Sequence, residues 1–254
     1  MTTRPIALSP TEAQTLVRCP LHFHFLLQSP PEPPDLLDAA VRSAVRRLHA
    51  AGGPARLPLD DLLQPLDLPA ARQMVTRYYH RLEQDWPRLI AATEPMELPI
   101  KLGGILVHFH EVIDRVDFTS DGGILTIIFH TGPGPLPDPE DLRRSPAIAV
   151  YHALTAATYP TRRPVRIQKW WLALDQTVTV ELSREEYLQH LADLRQAVHA
   201  LVRGEVVARP GLHCEQCPFQ YDGCPVYGPD SPDFDPDAPR GKIPPRQWIF
   251  RLGD

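Results

Sequence analysis

The chain has 254 residues, a net charge of −5, 43% hydrophobic residues and 22% charged residues. That composition is ordinary for a globular protein, and the length allows one large domain. No apolar run approaches the roughly 20 residues that span a membrane, and the N-terminus lacks a secretory pattern. We therefore expect a cytoplasmic protein. The acidic balance excludes a global attraction to nucleic acid, but it leaves room for a local basic groove.

The first third of the chain is predicted to be helical. Ser9 and Glu12 form a capping-box pattern just before an apolar run. A proline-rich stretch at 29–34 predicts a stiff loop. The spacing of apolar residues predicts three helices, over 9–27, 35–51 and 69–92.

The middle of the chain changes to a strand pattern. The run ILTIIF within 123–130 is typical of a buried central strand, and DGG at 121–123 predicts the turn before it. Two further helices follow, at about 140–158 and at 183–203. The predicted strands are 96–102, 105–118, 123–130, 165–174 and 177–182. This order favours one α/β domain over residues 1–227, with a mixed central sheet flanked by helices.

The C-terminal segment differs in composition. Residues 228–245 hold six prolines and four aspartates, which predicts an extended linker. The segment QWIF follows it. We interpret residues 228–254 as a linker and docking tail, with Trp248, Ile249 and Phe250 as an apolar anchor.

The four cysteines indicate a metal centre. Three of them fall within eleven residues, CEQCPFQYDGC, and the fourth lies near the N-terminus. Four thiolates suit tetrahedral zinc or a [4Fe–4S] cluster, and spacing alone does not decide between them. The alternative is four unrelated buried cysteines. The predicted ligands are Cys19, Cys214, Cys217 and Cys224.

Both ends of the domain resemble AddB-type nucleases and CRISPR-associated relatives of the RecB nuclease, within the PD-(D/E)xK superfamily. The segment ALSPTEAQTLVRCPLHFHF is similar to the opening of that family, and GLHCEQCPFQYDGCPV is similar to its cluster-binding end. The resemblance implies a restriction-endonuclease-like fold. It also implies a [4Fe–4S] cluster that clamps the N- and C-terminal parts together.

The resemblance continues between the cysteines and covers roughly residues 7–226. The segment ELPIKLGGILVHFHEVIDRVDF is similar to the strands that carry a Glu and then G-x-x-D-R-x-D. The family's metal-binding Asp is Asp114 here, and its Glu corresponds to Glu97. AIAVYHAL resembles the Q-x-x-x-Y helix and retains Tyr151. The resemblance therefore implies that Asp114, Glu97 and Tyr151 are retained residues of an active site.

Four other motif positions are replaced. The helix LDAAVRSAVRRLH carries Arg42 in place of an active-site His, and ILTIIFHTG resembles D-Y-K-T-G. The Asp, the Lys and the helical Gln correspond to Ile128, His130 and Ala147. Carboxylates hold Mg²⁺ or Mn²⁺ in this fold, and the metal activates the attacking water. The replacements therefore favour a catalytically inactive domain.

A rearranged active site is the alternative. Lys101 could replace the missing lysine, and Glu111 or Glu97 could supply a second carboxylate. Regular strand alternation would place His108, His110, Asp114, Ile128 and His130 on one face, which would favour a softer metal.

Basic residues predict the DNA contacts. The stretch TRRPVRIQKWW combines cations with tryptophans, as in surfaces that grip the backbone and stack bases. The predicted DNA-binding residues are Arg42, Arg46, Arg115, Arg163, Arg166 and Lys169. The leading hypothesis is a DNA-binding or structural subunit of a repair, recombination or defence complex. Its expected partners are single-stranded or duplex-end DNA and a helicase or other DNA-processing protein. The alternatives are an active Mg²⁺- or Mn²⁺-dependent DNase and a protein–protein scaffold without DNA binding.

Overall fold

The computed structural model describes residues 5–29, 33, 35–220, 224–227 and 248–251. The predicted linker at 228–245 lies outside the described residues. The helices are α1 Pro10–Arg18, α2 Pro20–Gln28, α3 Leu36–Ala50, α4 Leu59–Leu63, α5 Pro69–Asp85, α6 Pro139–Arg143, α7 Pro146–Thr158 and α8 Arg184–Val202. The strands are β1 Ile6–Leu8, β2 Leu89–Leu102, β3 Ile105–Phe118, β4 Ile124–His130, β5 Val165–Trp171, β6 Gln176–Val180, β7 Glu205–Ala208 and β8 Trp248–Arg251.

In the described part of the chain, six strands form one mixed sheet with the order β1-β3-β4-β5-β6, and β2 also pairs with β3. The pairs β1–β3 and β4–β5 are parallel, whereas β3 is antiparallel to β2 and β4, and β6 is antiparallel to β5. β3 exchanges neighbours along its length. Residues 107–109 pair with β1, and residues 115–118 pair with β4. The stretch between them borders an opening in the sheet, and this opening positions the site described below.

Helices cover both faces of the sheet, which confirms the predicted α/β class. One core forms where α1, α7 and α8 pack on the sheet, around Val107, Phe109 and Ile148. The other forms under α3, α4 and α5, around Phe129 and Trp170. Because each face is buried, β4 is apolar along almost its whole length, as its sequence predicts.

The predicted helix over 9–27 is two helices that meet at Cys19. The capping box on Ser9 is confirmed: the Glu12 N–H donates to its hydroxyl at 3.2 Å, and the Ser9 N–H donates to the Glu12 carboxylate at 2.7 Å. Cys19 has extended backbone angles of φ −151° and ψ 97°. The cause is Pro20, which disfavours helical angles in the residue before it and has no N–H. The interruption sets a cysteine at a corner of the fold.

Prolines account for two other differences. The helix predicted over 69–92 ends at Asp85, and a 3₁₀ turn over Trp86–Arg88 leads directly into β2. The helix predicted at about 140–158 is divided into α6 and α7 at Ser145, which precedes Pro146. The turn at 121–123 is confirmed, and Gly122 has a φ of 83° that favours glycine.

The sequence did not predict β1, α4, β7 or β8. β8 pairs antiparallel with β7, so the backbone of the predicted anchor segment lies against this chain. Its role in docking a partner stays a prediction. A membrane-spanning helix would need more length and apolarity than any helix in the described ranges has.

Candidate functional site

A pocket opens at the carboxyl ends of the parallel strands β4 and β5, beside the stretch where β3 exchanges neighbours. Strands β2 and β3 and helices α1, α3 and α7 contribute the rest of its wall. The lining combines acidic, basic and apolar groups, contributed by Thr11, Arg42, Arg46, Thr93, Glu111, Val112, Asp114, Ile128, Phe129, His130, Tyr151 and Lys169.

Asp114 is held by protein groups on both carboxylate oxygens. One oxygen accepts from the Phe129 N–H at 2.8 Å, and the other forms an ion pair with the Arg42 guanidinium. Arg42 in turn donates to Asp38 at 2.7 Å, and Thr131 donates to the second Asp38 oxygen at 3.0 Å. The Asp114 side chain is only 6% exposed. The carboxylate at the predicted metal-binding position is therefore already paired with a cation of the chain, Arg42.

His130 and Lys169 lie on neighbouring strands of the same pocket. Burial, and then the charge of Lys169, lower the pKa of His130, so this imidazole is neutral near pH 7. Lys169 is aligned with Ile128 across the parallel pair β4–β5, so the two side chains share a face. Burial, and then Arg18, lower the pKa of Lys169. The lysine of this pocket thus comes from β5 and not from β4.

Glu111 and Tyr151 lie on the other side of Asp114. Burial raises the pKa of the Glu111 carboxyl, which also accepts from the Val112 N–H at 2.9 Å. Burial, and then Glu111, raise the pKa of Tyr151 far above its usual value. Tyr151 is 6% exposed and therefore presents a protonated phenol to the pocket.

The histidine-rich face that regular alternation predicts is not formed. His108 and His110 lie outside the lining of the pocket, and so do Glu97 and Lys101. The Glu97 side chain is 68% exposed and faces His108 at 3.5 Å.

Three of the predicted DNA-binding arginines lie away from this pocket. Arg115 is completely buried and forms a bidentate pair with Asp117 at 2.5 and 2.7 Å, so no DNA phosphate reaches it. Arg166 pairs with Asp121 at 2.7 Å and with Glu181 at 3.1 Å. Arg163 donates to neighbouring backbone carbonyls.

The tryptophans beside these arginines do not form a stacking surface. Trp170 and Trp171 are 1% and 4% exposed. Burial in the core therefore excludes the base-stacking role that the sequence suggested for them. Of the six predicted DNA contacts, those that line the pocket are Arg42, Arg46 and Lys169.

The four cysteines line one shared cavity. Cys19, at the corner between α1 and α2, meets the C-terminal segment there, beside Leu21, Phe25 and Val226. Backbone N–H groups donate to two of the sulfurs, from His22 to Cys19 at 3.5 Å and from Gly211 to Cys214 at 3.4 Å. Residues separated by nearly the whole domain in sequence thus share one cavity.

Burial raises the pKa of the Cys214 and Cys217 thiols. Among the residues that the structure describes, no group of three or more His, Cys, Asp or Glu side chains forms a metal-ion site. Arg209 lines the same cavity and donates to the Val17 carbonyl at 2.7 Å, which ties the C-terminal segment to α1.

Sequence reasoning named Glu111 as a possible second carboxylate and Lys169 as a DNA contact, but it expected Lys101 and not Lys169 to replace the missing lysine. For Lys169 the missing information was the register of β5 against β4, since the sequence predicts both strands but not their alignment. A signal for Lys169 existed: it is one of only three lysines in the chain and lies on a predicted strand.

Solved structures of two proteins are similar over most of this chain. The crystal structure of SSO0001 is 13% identical, with a TM-score of 0.45, over 89% of this chain and 88% of that chain. A "Putative exonuclease" from Eubacterium rectale is 11% identical, with a TM-score of 0.49, over 78% of this chain and 80% of that one. No curated protein matches the sequence.

A family model supplies the assignment. The model of the PD-(D/E)XK nuclease superfamily matches residues 7–221. The match runs from β1 past Cys217 and includes every described residue of the Asp114 pocket. The chain therefore belongs to the PD-(D/E)XK nuclease superfamily.

Proposed function

We propose that this chain is a nuclease-fold protein that binds DNA without cleaving it. The observation that carries the proposal is the ion pair between Arg42 and Asp114. In a metal-dependent nuclease of this superfamily, the equivalent carboxylate would bind a divalent cation. Here an arginine of the chain neutralises it. The protein could therefore retain a phosphate-binding groove while lacking the metal.

The pocket does not fit Mg²⁺ or Mn²⁺. These hard cations take several oxygen ligands. Both oxygens of Asp114 are occupied, one by Arg42 and one by the Phe129 N–H. Ile128, at the position of the second carboxylate, offers no ligand atom. Besides Asp114, the lining offers only the Glu111 carboxyl as a charged oxygen ligand, which supports the proposal that no metal ion is held here for hydrolysis.

Affinity for DNA is supported by two cations of the pocket that have no ion pair among the described residues. Arg42 is ion-paired with both Asp38 and Asp114, whereas Arg46 and Lys169 add two further cations to the lining. Glu111 adds a third carboxyl, whose pKa burial raises, so three cations meet three carboxyls here. Because phosphate contacts dominate non-specific affinity for DNA, the two unpaired cations support binding despite the net negative charge of the chain.

We further propose that Cys19, Cys214, Cys217 and Cys224 hold a [4Fe–4S] cluster. The donor set fits: thiols line one cavity, apolar side chains surround them, and backbone N–H groups donate to two sulfurs. Bound there, the cluster would supply a covalent tie between α1–α2 and the segment after β7. Nothing in the proposed DNA binding requires electron transfer.

The RecB/AddB-like character, and a role beside a helicase or other DNA-processing partner in repair, recombination or defence, belong to the same proposal. They rest on the similarity of the cysteine-bearing ends and of the motifs around Asp114. A scaffold without DNA binding would have the same fold but no salt-sensitive affinity for DNA.

The proposal is tested by fluorescence anisotropy with labelled single-stranded DNA and blunt duplex DNA in EDTA, over a salt series. We expect binding whose affinity falls as salt rises. Arg46→Glu should weaken it by about tenfold, the size expected for a reversed phosphate contact. Arg47→Glu is the matched control, since Arg47 is on the same helix but outside the pocket lining and donates to the Asp61 carbonyl.

A second candidate, an active nuclease with displaced residues, is favoured by one observation. Glu111, Asp114 and Lys169 line the same pocket and include the residue types that the family uses for catalysis. That arrangement would require Arg42 to leave Asp114. Cleavage that depends on Mn²⁺ and on both Glu111 and Asp114 would identify it.

A further inference from the structure

Three donor groups in the Asp114 pocket are left without partners. They are the Lys169 ammonium, the Tyr151 hydroxyl and the Arg46 guanidinium. Among the residues that the structure describes, none of these three groups has a hydrogen bond or an ion pair with an acceptor. The Arg42 network, by contrast, is satisfied by Asp38 and Asp114. The unpaired donors therefore indicate that the pocket binds a ligand that supplies hydrogen-bond acceptors.

Lys169 is the strongest of the three indications. Its side chain is half-buried on β5, and its nearest charged influence is another cation, Arg18. Removing an ammonium group from water without a counter-ion costs free energy. An anion in the pocket would remove that cost.

Tyr151 is the second indication. It is buried, with 6% of its surface exposed, and the high pKa of its phenol keeps the proton in place. The Tyr151 hydroxyl is not fully buried, and it has no hydrogen-bond partner among the described residues, so it is open to a ligand in the pocket. A protonated phenol facing a pocket of cations suits an acceptor with negatively charged oxygens.

Arg46 follows Arg42 by one helical turn on α3, so both side chains lie on the same side of the helix. Arg46 is exposed at the mouth of the pocket, whereas Lys169 lies deeper. The planar guanidinium donates in pairs to phosphate oxygens. The three donors thus line the pocket from its mouth to its depth.

We propose that this pocket receives a phosphomonoester, the terminal phosphate of a DNA strand, with Lys169, Tyr151 and Arg46 donating to its oxygens. The inference rests on the proposed function and specifies its ligand. A terminal phosphate carries about −1.5 to −2 charges near pH 7, whereas an internal phosphodiester carries one. The two unpaired cations, Lys169 and Arg46, suit the higher charge of the terminal phosphate. No metal is needed, since Arg42 already neutralises Asp114.

Glu111 is the group that opposes this ligand. Its carboxyl lines the same pocket, and no described cation lies within ion-pair distance of it. Burial raises its pKa and so reduces its charge, but does not abolish the opposition. Removal of that charge by Glu111→Gln should strengthen binding of a phosphorylated end more than binding of an unphosphorylated strand.

The test compares one single-stranded oligonucleotide in three forms, with a 5′ phosphate, with a 3′ phosphate and with neither. Anisotropy is measured with the full chain at pH 7.5 in EDTA. We expect one phosphorylated form to bind about tenfold more tightly than the unphosphorylated form, the size of one or two charge-assisted hydrogen bonds. Tyr151→Phe, Lys169→Gln and Arg46→Gln should each reduce that ratio. Arg47→Gln should preserve it.

The outcomes separate the two proposals. Equal affinity for all three forms would overturn the phosphate receptor and leave DNA binding intact, whereas no binding of any form would overturn both. Tyr151→Phe removes only a hydroxyl, so it decides the question even if Lys169→Gln fails to fold. The last measurement is the binding of inorganic phosphate. If it binds through Lys169 while strand ends are not distinguished, the assignment to a DNA end is wrong.

Discussion

The Arg42 guanidinium and the Asp114 carboxylate form an ion pair between α3 and β3, across 72 positions of sequence. Arg42 is 29% exposed and Asp114 6% exposed. Since Asp114 also accepts from the Phe129 N–H, the pair connects α3 to the end of β4. The same contact neutralises the carboxylate at the predicted metal-binding position.

The energetic coupling of this pair is the first prediction. In a double-mutant cycle with Arg42→Met and Asp114→Asn, measured by urea denaturation, we expect a coupling energy of about 1–3 kcal/mol, because the pair is largely buried. The control is the exposed pair Arg144–Asp141, which should couple by less than about 1 kcal/mol. Additive losses for Arg42 and Asp114 would show that the ion pair does not hold the two elements together.

The second prediction restores the metal site. The variant Arg42→His, Ile128→Asp, His130→Lys removes the internal cation and adds the missing carboxylate and lysine. Mn²⁺ should raise its melting temperature by a few degrees, since a ligand that binds the folded state stabilises it. The unaltered chain should show no such rise. Adding Asp114→Ala to the triple variant should abolish it, and a rise that persists would place the metal elsewhere.

A third prediction concerns acid. His49 on α3 stacks against Trp86, with ring centroids 5.9 Å apart, and shares a hydrogen bond of 2.7 Å with the Tyr78 hydroxyl. Burial, and then Arg115, lower the pKa of His49 to about 4. The imidazole is therefore neutral in the folded state, whereas in the unfolded chain it takes a proton near pH 6.5. Its stabilising contribution is complete above pH 6.5 and is lost as pH falls toward 4.

The measurement is the free energy of unfolding at pH 7.5 and pH 5. The loss assigned to His49 is at most about 3 kcal/mol between its two pKa values, and a smaller part of it is reached at pH 5. His49→Gln should flatten this acid dependence. His80→Gln should not, because the His80 side chain is 60% exposed. An unchanged slope in His49→Gln would mean that other groups cause the acid loss.

The fourth prediction concerns the cysteines. Anaerobically purified protein should be brown, absorb near ~400 nm and contain about four irons per chain. Cys19→Ser should lower the melting temperature of the whole domain, because Cys19 and the C-terminal cysteines share one cavity. Colourless protein with stoichiometric zinc would exclude the cluster, and an unchanged melting temperature in Cys19→Ser would exclude the clamp.

The sequence predicts much of this architecture because its signals are local. The apolar run of β4, the capping box at Ser9 and the turn at Gly122 depend on neighbours a few residues away, and the structure contains all of them. The helix break at Cys19 was also local, since Pro20 is adjacent, but the capping pattern upstream suggested a longer helix.

The site depends on non-local geometry and was predicted only in part. Asp114, His130 and Tyr151 line one pocket, and their catalytic role stays a prediction. Lys169 lines the same pocket through the register of β5, whereas His108 and His110 do not line it. Because Arg115 is charged, the sequence pattern predicts that its side chain is exposed. It is buried because Asp117, two residues later on the same strand, pairs with it.

The most direct test of the central claim is a nuclease assay on the unaltered full chain, purified anaerobically. End-labelled single-stranded and duplex DNA are incubated with Mg²⁺ or Mn²⁺, and binding of the same DNA is measured in parallel in EDTA. With Arg42 seated on Asp114, we predict binding without metal-dependent cleavage. Clear Mn²⁺-dependent cleavage that Asp114→Ala abolishes would contradict the account.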